Sequence, residues 1–386
     1  MKKKKKIAII GASYLQKPLV QKCKKMDIET HVFAWEKGSV CKDISDFFYP
    51  VSIIEKHKIL EVCRRINIDG IVSISSDIAM PTVSYVASEL ALIANDPEST
   101  FATTNKYAMR KRLSSHGLPC PEFYRLKGSG GFVPVELDFG KSSFVVKPTD
   151  RSGSRGVRKV NRFDELEVAI QRALDESFSK EVIIEEFITG REISVEMISW
   201  KGEHFFLAAT DKVTTGPPYF VEIEHHQPAE LSEKFLDKIK FIVKNALSAL
   251  GVCYGASHSE LIITQKEEII IVEIGARMGG DFIGSDLVAL STGYDFVKGV
   301  IEVALGKFNF PHKTLDKYAG VYFLCHERSY LTEIFLNDSS EFIVAKEIFD
   351  KPLVNLTDSS DRSGYLIYQA DRKISFLSGE RICEVY

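Results

Sequence analysis

Two glutamates in a predicted β-hairpin are the residues of this chain whose types and spacing most directly suggest chemistry. Apolar runs at residues 261–263 and 269–274 flank the polar residues 265–268, a pattern typical of a hairpin with a four-residue connection. The antiparallel register then places Glu260 directly opposite Glu273. Directly opposed side chains share one face of a sheet, so the two carboxylates are expected to lie side by side.

This register follows from setting Thr264 opposite Ile269, which also sets Ile262 opposite Ile271. Opposed side chains lie about 5 Å apart at Cβ, and two full charges at that distance repel by about 3 kcal/mol at an effective dielectric of about 20. A hard divalent cation would offset the repulsion, because Mg²⁺ takes one or two carboxylates and completes its shell with water and phosphate oxygens. The alternative is another register, with one glutamate facing solvent as an ordinary strand charge.

The residues after the hairpin favour a phosphate ligand. Arg277 follows Glu273 by four positions, and Met278-Gly279-Gly280-Asp281 is a turn whose backbone can approach a ligand before an apolar helix begins near Gly284. Two carboxylates, an arginine and a glycine turn together suit a phosphate carried by magnesium.

Composition indicates a globular protein of two or three domains. The chain has 386 residues, 45% of them hydrophobic and 27% charged, which is ordinary for soluble proteins. A formal charge of −3 argues against nucleic acid as the main partner. The basic run at residues 2–6 is interpreted as a solvated tail, with a membrane or nucleic-acid patch as the alternative.

Neither a membrane span nor a secretion signal is predicted, since no apolar run approaches the roughly 20 residues that cross a bilayer. The seven cysteines are scattered, odd in number and free of any C-x-x-C pair. Reduced thiols in the cytoplasm are therefore expected.

The N-terminal quarter alternates short apolar runs with helical patterns. Strands are predicted at residues 6–10, 30–34 and 70–75, and helices at 15–26, 55–66 and 79–90. This pattern predicts a βαβ domain with a parallel sheet. Gly11 opens a tight βα turn, but the other two glycines of G-x-G-x-x-G are missing, which argues against a dinucleotide site.

Two lysines further along are candidate anion ligands. Lys106 lies in the first turn of a helix predicted at about 105–115, with Thr103 or Thr104 as N-cap, where a cation is poorly placed for the helix dipole. Lys147 ends an apolar strand, and the loop after it offers backbone amides for an anion nest at Ser152, Gly153, Ser154 and Gly156. A plain surface hairpin is the alternative, and no Walker loop is present.

Residues 181–200 predict two strands joined by a turn at Thr189-Gly190. The second strand alternates, with Glu192, Ser194 and Glu196 on one face and Ile193, Val195 and Met197 on the other. Backbone groups beside Phe187 and Ile188 could hold a planar base, whereas Phe187 could equally be a core residue.

Residues 211–227 read as a long polar loop, which inside a compact domain is usually functional or disordered. His225 and His226 in this loop are interpreted as solvated, because adjacent residues seldom converge on one metal ion. The amphipathic helix at 231–250 looks structural. After residue 311 short strands are predicted at 320–324, 343–347, 365–369 and 382–386, with no evident chemical constellation.

Together these residues resemble the ATP-grasp superfamily in order and rough spacing, over about residues 100–310. The resemblance is carried by Lys106, Lys147 with its Gly/Ser loop, Glu185-Glu186-Phe187-Ile188, Glu192, Glu260, Glu273 and Arg277. It implies a mixed α/β and α+β protein. An N-terminal βαβ domain at 1–100 would precede a two-lobed ATP-grasp domain at 101–310, with a small lobe at about 120–190 and a large lobe at about 191–310. A C-terminal β-rich domain at 311–386 would follow.

The resemblance also implies roles for individual residues. Lys106 and Lys147 would hold the phosphates of ATP, under the loop formed by Ser152, Gly153, Ser154 and Gly156. Glu185, Glu186, Phe187 and Ile188 would bind adenine, Glu192 the ribose, and Glu260 and Glu273 Mg²⁺. Arg277 and Lys147 would be catalytic, and Glu222, His226, Gly279 and Gly280 would contact the substrate.

The activity implied is an ADP-forming carboxylate–amine ligase, in which a small acid, such as an amino acid, becomes an acylphosphate that an amine captures. The segment Asp211-Lys212…Gly216-Pro217-Pro218…Glu222…His226 looks most like the L-amino-acid ligase and carbamoyl-phosphate-synthase-like branch. Glycinamide ribonucleotide synthetase is the alternative, and a homodimer stays open. One position departs from the family: Gly275 stands where many members have asparagine. This motivates a second alternative, a non-catalytic ATP-binding sensor or scaffold.

Overall fold

The computed structural model describes residues 4–128, 137–153, 155–217, 219–377 and 380–382. Ser154 of the predicted anion loop lies outside the described residues, as do residues 383–386 of the last predicted strand. All other candidate site residues lie within them.

The N-terminal part is a parallel sheet between helices, as predicted. Its strands lie in the order β3-β2-β1-β4 and all pair in parallel. The elements are β1 (Lys6–Ile10), α1 (Lys17–Lys25), β2 (Glu29–Phe33), β3 (Phe47–Tyr49), α2 (Lys56–Ile66), β4 (Gly70–Val72) and α3 (Met80–Glu89). Ile7 and Ile9 pack in the cluster that holds α1, whereas Ala8 and Ile10 pack with α2 and α3. β1 is apolar on both faces because helices cover both faces.

Two consecutive helices lead from this sheet into the rest of the chain, α4 (Pro97–Thr104) and α5 (Lys106–Ser115). The N-cap of α5 is Asn105, whose side chain accepts a hydrogen bond from the amide of Ala108 at 3.0 Å. The prediction of Thr103 or Thr104 as N-cap was wrong, because both hydroxyls bond back to carbonyls of α4.

A small antiparallel sheet follows, with strand order β5-β8-β6-β7. It comprises β5 (Phe123–Lys127), β6 (Phe144–Pro148), β7 (Arg158–Val160) and β8 (Glu181–Glu186), with α6 (Leu166–Glu176) packed on it. Val146 and Ile184 are fully buried against Ala169 and Ala173 of α6. The loop between β6 and β7 is the predicted Gly/Ser loop.

The large sheet has eight antiparallel strands in the order β13-β12-β9-β10-β11-β14-β16-β15. They are β9 (Arg191–Trp200), β10 (Glu203–Thr214), β11 (Glu222–Gln227), β12 (Gly255–Ile263), β13 (Ile269–Gly275), β14 (Tyr318–Leu324), β15 (Ile343–Ile348) and β16 (Gly364–Ala370). Ile193, Val195 and Met197 face the helix α7 (Glu233–Ala249). The predicted alternation along β9 is confirmed, with its polar residues on the opposite face.

The remaining α-helices and strands are short. They are α8 (Val288–Thr292), α9 (Phe296–Ala304), α10 (Thr332–Asn337) and the hairpin of β17 (Ser375–Leu377) and β18 (Glu380–Ile382). Strands β14 to β16 extend the large sheet, so the proposed domain border near residue 310 falls between two strands that pair side by side, β11 and β14. Within the described ranges, every helix is too short or too polar to span a bilayer.

The predicted polar loop at 211–227 was largely wrong. Residues 211–214 finish β10, and β11 is an interior strand that pairs with both β10 and β14. His225 and His226 are each 1% exposed rather than solvated. Part of this polar strand is paired inside the sheet: His226 contacts Glu224 at 3.0 Å and the Tyr368 hydroxyl at 2.9 Å, whereas His225 Nε2 lies 3.9 Å from Asp281, beyond hydrogen-bond distance.

Candidate active site

The hairpin of β12 and β13 brings the two predicted metal carboxylates together. Glu260 pairs directly with Glu273, as predicted, but Ile262 pairs with Ile270 rather than with Ile271. The predicted register was one residue off at Ile262. A β-bulge in β13, between Ile271 and Glu273, restores the pairing of the two glutamates. A bulge adds one residue to one strand and returns later side chains to the other face.

Each carboxylate has a lysine partner. Lys212 Nζ of β10 lies 2.7 Å from Glu260 Oε1, and Lys106 Nζ of α5 lies 3.0 Å from Glu273 Oε1. These lysines offset the repulsion, so a divalent cation is not the only charge that can make the pair tolerable. The chemistry of the two carboxylates still fits Mg²⁺. Among the described residues there is no group of three or more His, Cys, Asp or Glu that could hold a metal, so water and phosphate would have to complete its shell.

We call Glu192, Glu222, Glu260 and Lys212 the acidic cluster. Lys212 Nζ lies 2.6 Å from Glu192 and 3.5 Å from Glu222, in addition to Glu260. Burial disfavours the charge on Lys212, but the three carboxylates outweigh it and raise the pKa of Lys212 well above its usual value. Two of the three carboxylates have a second cationic partner, since Glu260 also contacts His258 at 3.3 Å and Glu222 also contacts Arg362 at 3.4 Å, so the charge of the cluster is largely neutralised.

A basic cluster lies on the other side of Glu273 and consists of Lys106, Arg110, Lys147 and Glu185. Lys147 Nζ lies 2.5 Å from Glu185 Oε2, and Arg110 Nε lies 2.6 Å from Glu185 Oε1. Burial lowers the pKa of Lys147 despite its pairing with Glu185, and the like charges of Arg110 and Lys106 lower it further. Arg110 and Lys147 share the one buried carboxylate of Glu185, and Lys106 lies near enough to Lys147 to act on its pKa, so an anion entering here would be stabilised.

Arg110 was missed from the sequence although it is central to this cluster. It lies one helical turn after Lys106 on α5 and is completely buried. Its guanidinium also donates to the carbonyl of Val272, the extra residue of the β13 bulge. Arg110 therefore joins the small sheet to the hairpin that carries Glu273. The spacing of four residues on a helix was the available signal.

Lys106 ties the Gly/Ser loop to the site. Its Nζ donates to the carbonyl of Arg151 at 2.8 Å, and its amide donates to the carbonyl of Thr149 at 2.7 Å. Gly153 and Gly156 have φ of +66° and +70°, a conformation that favours glycine. The loop thus begins beside the lysine that also contacts Glu273.

The residues predicted to hold adenine have partners of their own. The side chain of Glu185 is taken up by the basic cluster, and that of Glu186 accepts from Ser142 at 2.9 Å. The amide of Phe187 donates to Ser143 at 2.8 Å, and Lys159 Nζ lies 3.8 Å from the centre of the Phe187 ring. The adenine roles of Glu185, Glu186, Phe187 and Ile188, and the ribose role of Glu192, stay predictions.

Arg277 is held by a residue of the N-terminal part that the sequence did not suggest. Its Nε and one terminal nitrogen donate to the two oxygens of Asp77 at 2.8 and 2.9 Å. Burial opposes the charge of Arg277, but Asp77 outweighs it and raises the pKa of Arg277 above its usual value. A bidentate pair fixes the plane of the guanidinium.

Gly275 makes room for this ion pair. A Cβ at position 275 would lie 2.9 Å from Asp77 Oδ1 and 3.0 Å from Arg277 Nε. Asp77 therefore occupies the space that a side chain at position 275, such as the family's asparagine, would need.

We expect Gly275→Ala to destabilise the protein by about 1–3 kcal/mol, the usual cost of overpacking a well-packed site. Urea unfolding would measure the change. Gly280→Ala is the matched control, because the nearest atom to its added Cβ is 3.9 Å away. Equal unfolding free energies for the two variants would show that the Asp77–Arg277 pair moves aside at no cost.

The predicted substrate residues are only partly brought together. Glu222 joins the acidic cluster. Gly279 donates its amide to Glu196 at 3.0 Å, and a Cβ there would lie 2.8 Å from Glu196 and His258, whereas Gly280 is open. His225 pairs with Lys212 and shares its face of the sheet. Because adjacent strand residues face opposite sides, His226 points away from the acidic cluster, toward Glu224 and Tyr368.

The C-terminal segment also reaches the site. One terminal nitrogen of Arg362 lies 2.9 Å from Asp281, and the other lies 3.4 Å from Glu222. Arg362 gave no signal in the sequence, since its partners lie about 80 and 140 positions earlier in the chain. No constellation was evident from the sequence after residue 311, because Arg362 meets its partners only in the folded chain.

Comparison with known proteins agrees with this geometry. A family model described as the ATP-grasp domain matches residues 141–286. A D-alanine–D-alanine ligase of Flavobacterium johnsoniae is 30% identical over 44% of this chain and 54% of its own length. The matches span 54% to 66% of the first three curated relatives, so each relative has length that the chain does not match.

Two solved structures resemble the whole chain. The L-amino acid ligase from Bacillus licheniformis has a TM-score of 0.79 at 21% identity, covering 96% of this chain and 95% of that chain. The phosphoribosylglycinamide synthetase from Anaerococcus prevotii has a TM-score of 0.75 at 18% identity, with the same coverage. At such identities the likeness concerns the fold. Residues 141–286 therefore match the ATP-grasp domain family, and the chain as a whole shares the fold of these two enzymes.

Proposed function

We propose that this protein is an ATP- and Mg²⁺-dependent carboxylate–amine ligase that releases ADP and phosphate. The observation that carries the proposal is the contact of Lys106 with Glu273, which joins the basic cluster to the paired carboxylates Glu260 and Glu273. A magnesium nucleotide needs this combination, with cations for its phosphates and oxygen donors for its metal.

The residues divide the work by charge. Lys106 and Lys147 would bind the phosphates, with Arg110 holding Glu185 and keeping the pocket positive. Glu260 and Glu273 would hold Mg²⁺, which when bound neutralises charge on the transferred phosphoryl group. Arg277, oriented by Asp77, would contact the carboxylate of the acid or its acylphosphate.

The proposed reaction has two steps. A carboxylate oxygen of the acid attacks the γ-phosphorus, the bond to the bridging oxygen breaks, and ADP leaves. The nitrogen of an amine then attacks the carbonyl carbon of the acylphosphate, which expels phosphate and forms an amide, and the proton lost by nitrogen passes to solvent. Positioning and charge neutralisation are what the protein must supply to the first step.

The acid is proposed to be an amino acid or similar small acid. The likeness in fold to the L-amino acid ligase from Bacillus licheniformis supports this, and the carboxylates of the acidic cluster could accept hydrogen bonds from an ammonium group next to the reacting carboxylate. Phosphoribosylamine–glycine ligation is the alternative, and the likeness to the Anaerococcus prevotii structure is what favours it. The described cysteines are all free, which supports a cytoplasmic location.

We expect ATP-dependent phosphate release only when ATP, Mg²⁺, an acid and an amine are all present. A panel of α-amino acids as both acid and amine would be screened by coupled phosphate detection, omitting one component at a time. Phosphate release that does not depend on the acid would contradict the proposal. Tight ATP binding without ADP formation across the panel would instead favour the non-catalytic sensor.

A further inference from the structure

A cavity of about 440 Å³ lies between the N-terminal part and the Gly/Ser loop. Its wall on the ATP-grasp side includes Lys106, Ser152 and Glu273, so it opens directly onto the proposed phosphate and metal residues. Its other wall comes from α2, α3 and the turns that precede them, and only Asp77 in this wall has been given a role above. The lining residues are Ile54, Lys56, Asp77, Ile78, Pro81 and Thr82. Its volume lies in the usual range of about 300–1,000 Å³ for small-molecule sites.

The N-terminal wall carries one group of each charge. Asp77 faces the cavity while it holds Arg277, and its side chain is 14% exposed. Lys56, the first residue of α2, is exposed, and its Nζ lies 4.6 Å from the centre of the Tyr85 ring. A carboxylate beside the acyl site and an ammonium nearer the rim match a zwitterion that enters with its amino group first.

The rest of this wall is apolar. Ile78, Pro81 and Ile54 line it, and Ile54 is 61% exposed; Phe178, which lines the ATP-grasp side, is 64% exposed. Large apolar side chains left uncovered on both sides of a cavity are typical of a binding site, since a ligand that covers them gains their burial.

We infer that this cavity binds the acceptor amine, and that the acceptor is an α-amino acid with an apolar side chain. Its ammonium group binds Asp77 next to the acylphosphate held by Arg277 and loses one proton to solvent before the nitrogen attacks, while its carboxylate binds Lys56 and its side chain covers Ile54 and Ile78. The inference rests on the proposed function and adds the class of the second substrate.

The same wall disfavours a phosphosugar. Among the described residues that line the N-terminal side, Lys56 supplies the one cation, and Asp77 would repel a phosphate group placed near it. A phosphate site usually gathers several cations or backbone amides. This wall therefore favours an amino acid over phosphoribosylamine as the acceptor, since the other lining cations, Lys106 and Arg151, lie on the opposite wall beside the proposed phosphate site.

The test separates acyl activation from acceptor binding. With ATP and Mg²⁺, hydroxylamine traps an acylphosphate as a hydroxamate, so a screen of the twenty L-amino acids identifies the acid without any acceptor. Leucine and isoamylamine, which is leucine without its carboxylate, then serve as acceptors for that acid. We expect Lys56→Ala to raise the KM for leucine by about tenfold, the loss of one charge-assisted contact, and to leave the KM for isoamylamine within about twofold, since that amine makes no such contact.

Lys58→Ala is the matched control, because Lys58 lies on the same helix, pairs with Glu55 and does not line the cavity. Its KM for leucine is expected to equal that of the parent. Asp77→Asn should raise the KM for both amines, since both carry the ammonium group. Equal changes for leucine and isoamylamine in Lys56→Ala, or a parent that uses isoamylamine as well as leucine, would overturn the acceptor site alone. A parent that forms no hydroxamate with any acid would overturn the proposed function and the acceptor site with it.

Discussion

Glu273→Gln is expected to lower the rate of acid-dependent ADP formation by at least about 100-fold. Loss of an outer-shell partner of a metal costs up to about 100-fold, and Glu273 is proposed to bind the metal directly. Glu273 pairs directly with Glu260 and contacts Lys106, so it lies where the proposed metal and phosphate sites meet. The amide of glutamine keeps the size and can still accept a hydrogen bond from Lys106, but it carries no charge for Mg²⁺. Steady-state ADP formation at several Mg²⁺ concentrations is the measurement.

The control for this variant is Glu267→Gln, in the exposed turn of the same hairpin. It removes the same charge from the same element without touching the site, and its rate should match that of the parent. The Mg²⁺ concentration for half-maximal rate should rise in Glu273→Gln only. Parental turnover of Glu273→Gln would mean that the metal is held elsewhere, and the assignment of Glu260 and Glu273 would be abandoned.

Arg110→Met is expected to destabilise the protein by about 3–5 kcal/mol, the usual cost of removing one partner from a buried ion pair. The substitution preserves most of the side-chain volume but leaves Glu185 with Lys147 alone. It also removes the donor to the carbonyl of Val272 in the bulge. The burial that now opposes the charge on Glu185 would then raise its pKa from its present lowered value. Equilibrium unfolding in urea would report the loss as a lower midpoint at an unchanged slope.

Arg112→Met provides the matched comparison two residues along the same helix. Arg112 is 30% exposed and its partner Glu98 is 82% exposed, so this surface ion pair should contribute only about 0–1 kcal/mol. If the two variants lost the same stability, the buried cluster around Glu185 would be a weak contribution to the fold. Its proposed role would then be limited to the charge that it presents to phosphate.

The features predicted best from the sequence are those that local patterns determine. β1 was predicted at its observed bounds, residues 6–10, because a short apolar run after a polar one permits few other interpretations. The alternation along β9 predicted which side chains face α7. Lys106 was singled out because a cation in a first turn opposes the helix dipole, and the structure gives it a partner in Glu273.

The pairing of Glu260 with Glu273 was predicted correctly, although the register used to predict it was one residue off. The hairpin was recognised from its apolar runs, but a bulge depends on how the strand packs against its neighbours. Arg110 donates to the carbonyl of Val272 at the bulge, and no residue near Val272 in the sequence indicates that contact.

β11 could not be predicted from its own residues. A run with two glutamates and two histidines lacks the apolar pattern of a strand, and its place inside the sheet depends on β10 and β14, which pair with it on either side. Asp77 and Arg362 were missed for the same reason, since each acquires its role only when a distant segment is brought against it.

The sequence by itself determined the kinds of charge this protein brings to a ligand, because paired carboxylates, lysines at element ends and a glycine-rich loop are set by residue type and short spacing. Only the tertiary structure decided how those charges are neutralised and oriented. Ion pairs such as Asp77–Arg277 and Arg110–Glu185 join residues 200 and 75 positions apart. The energy of such a pair depends on burial and on distance in space, and neither quantity can be read from the order of the residues.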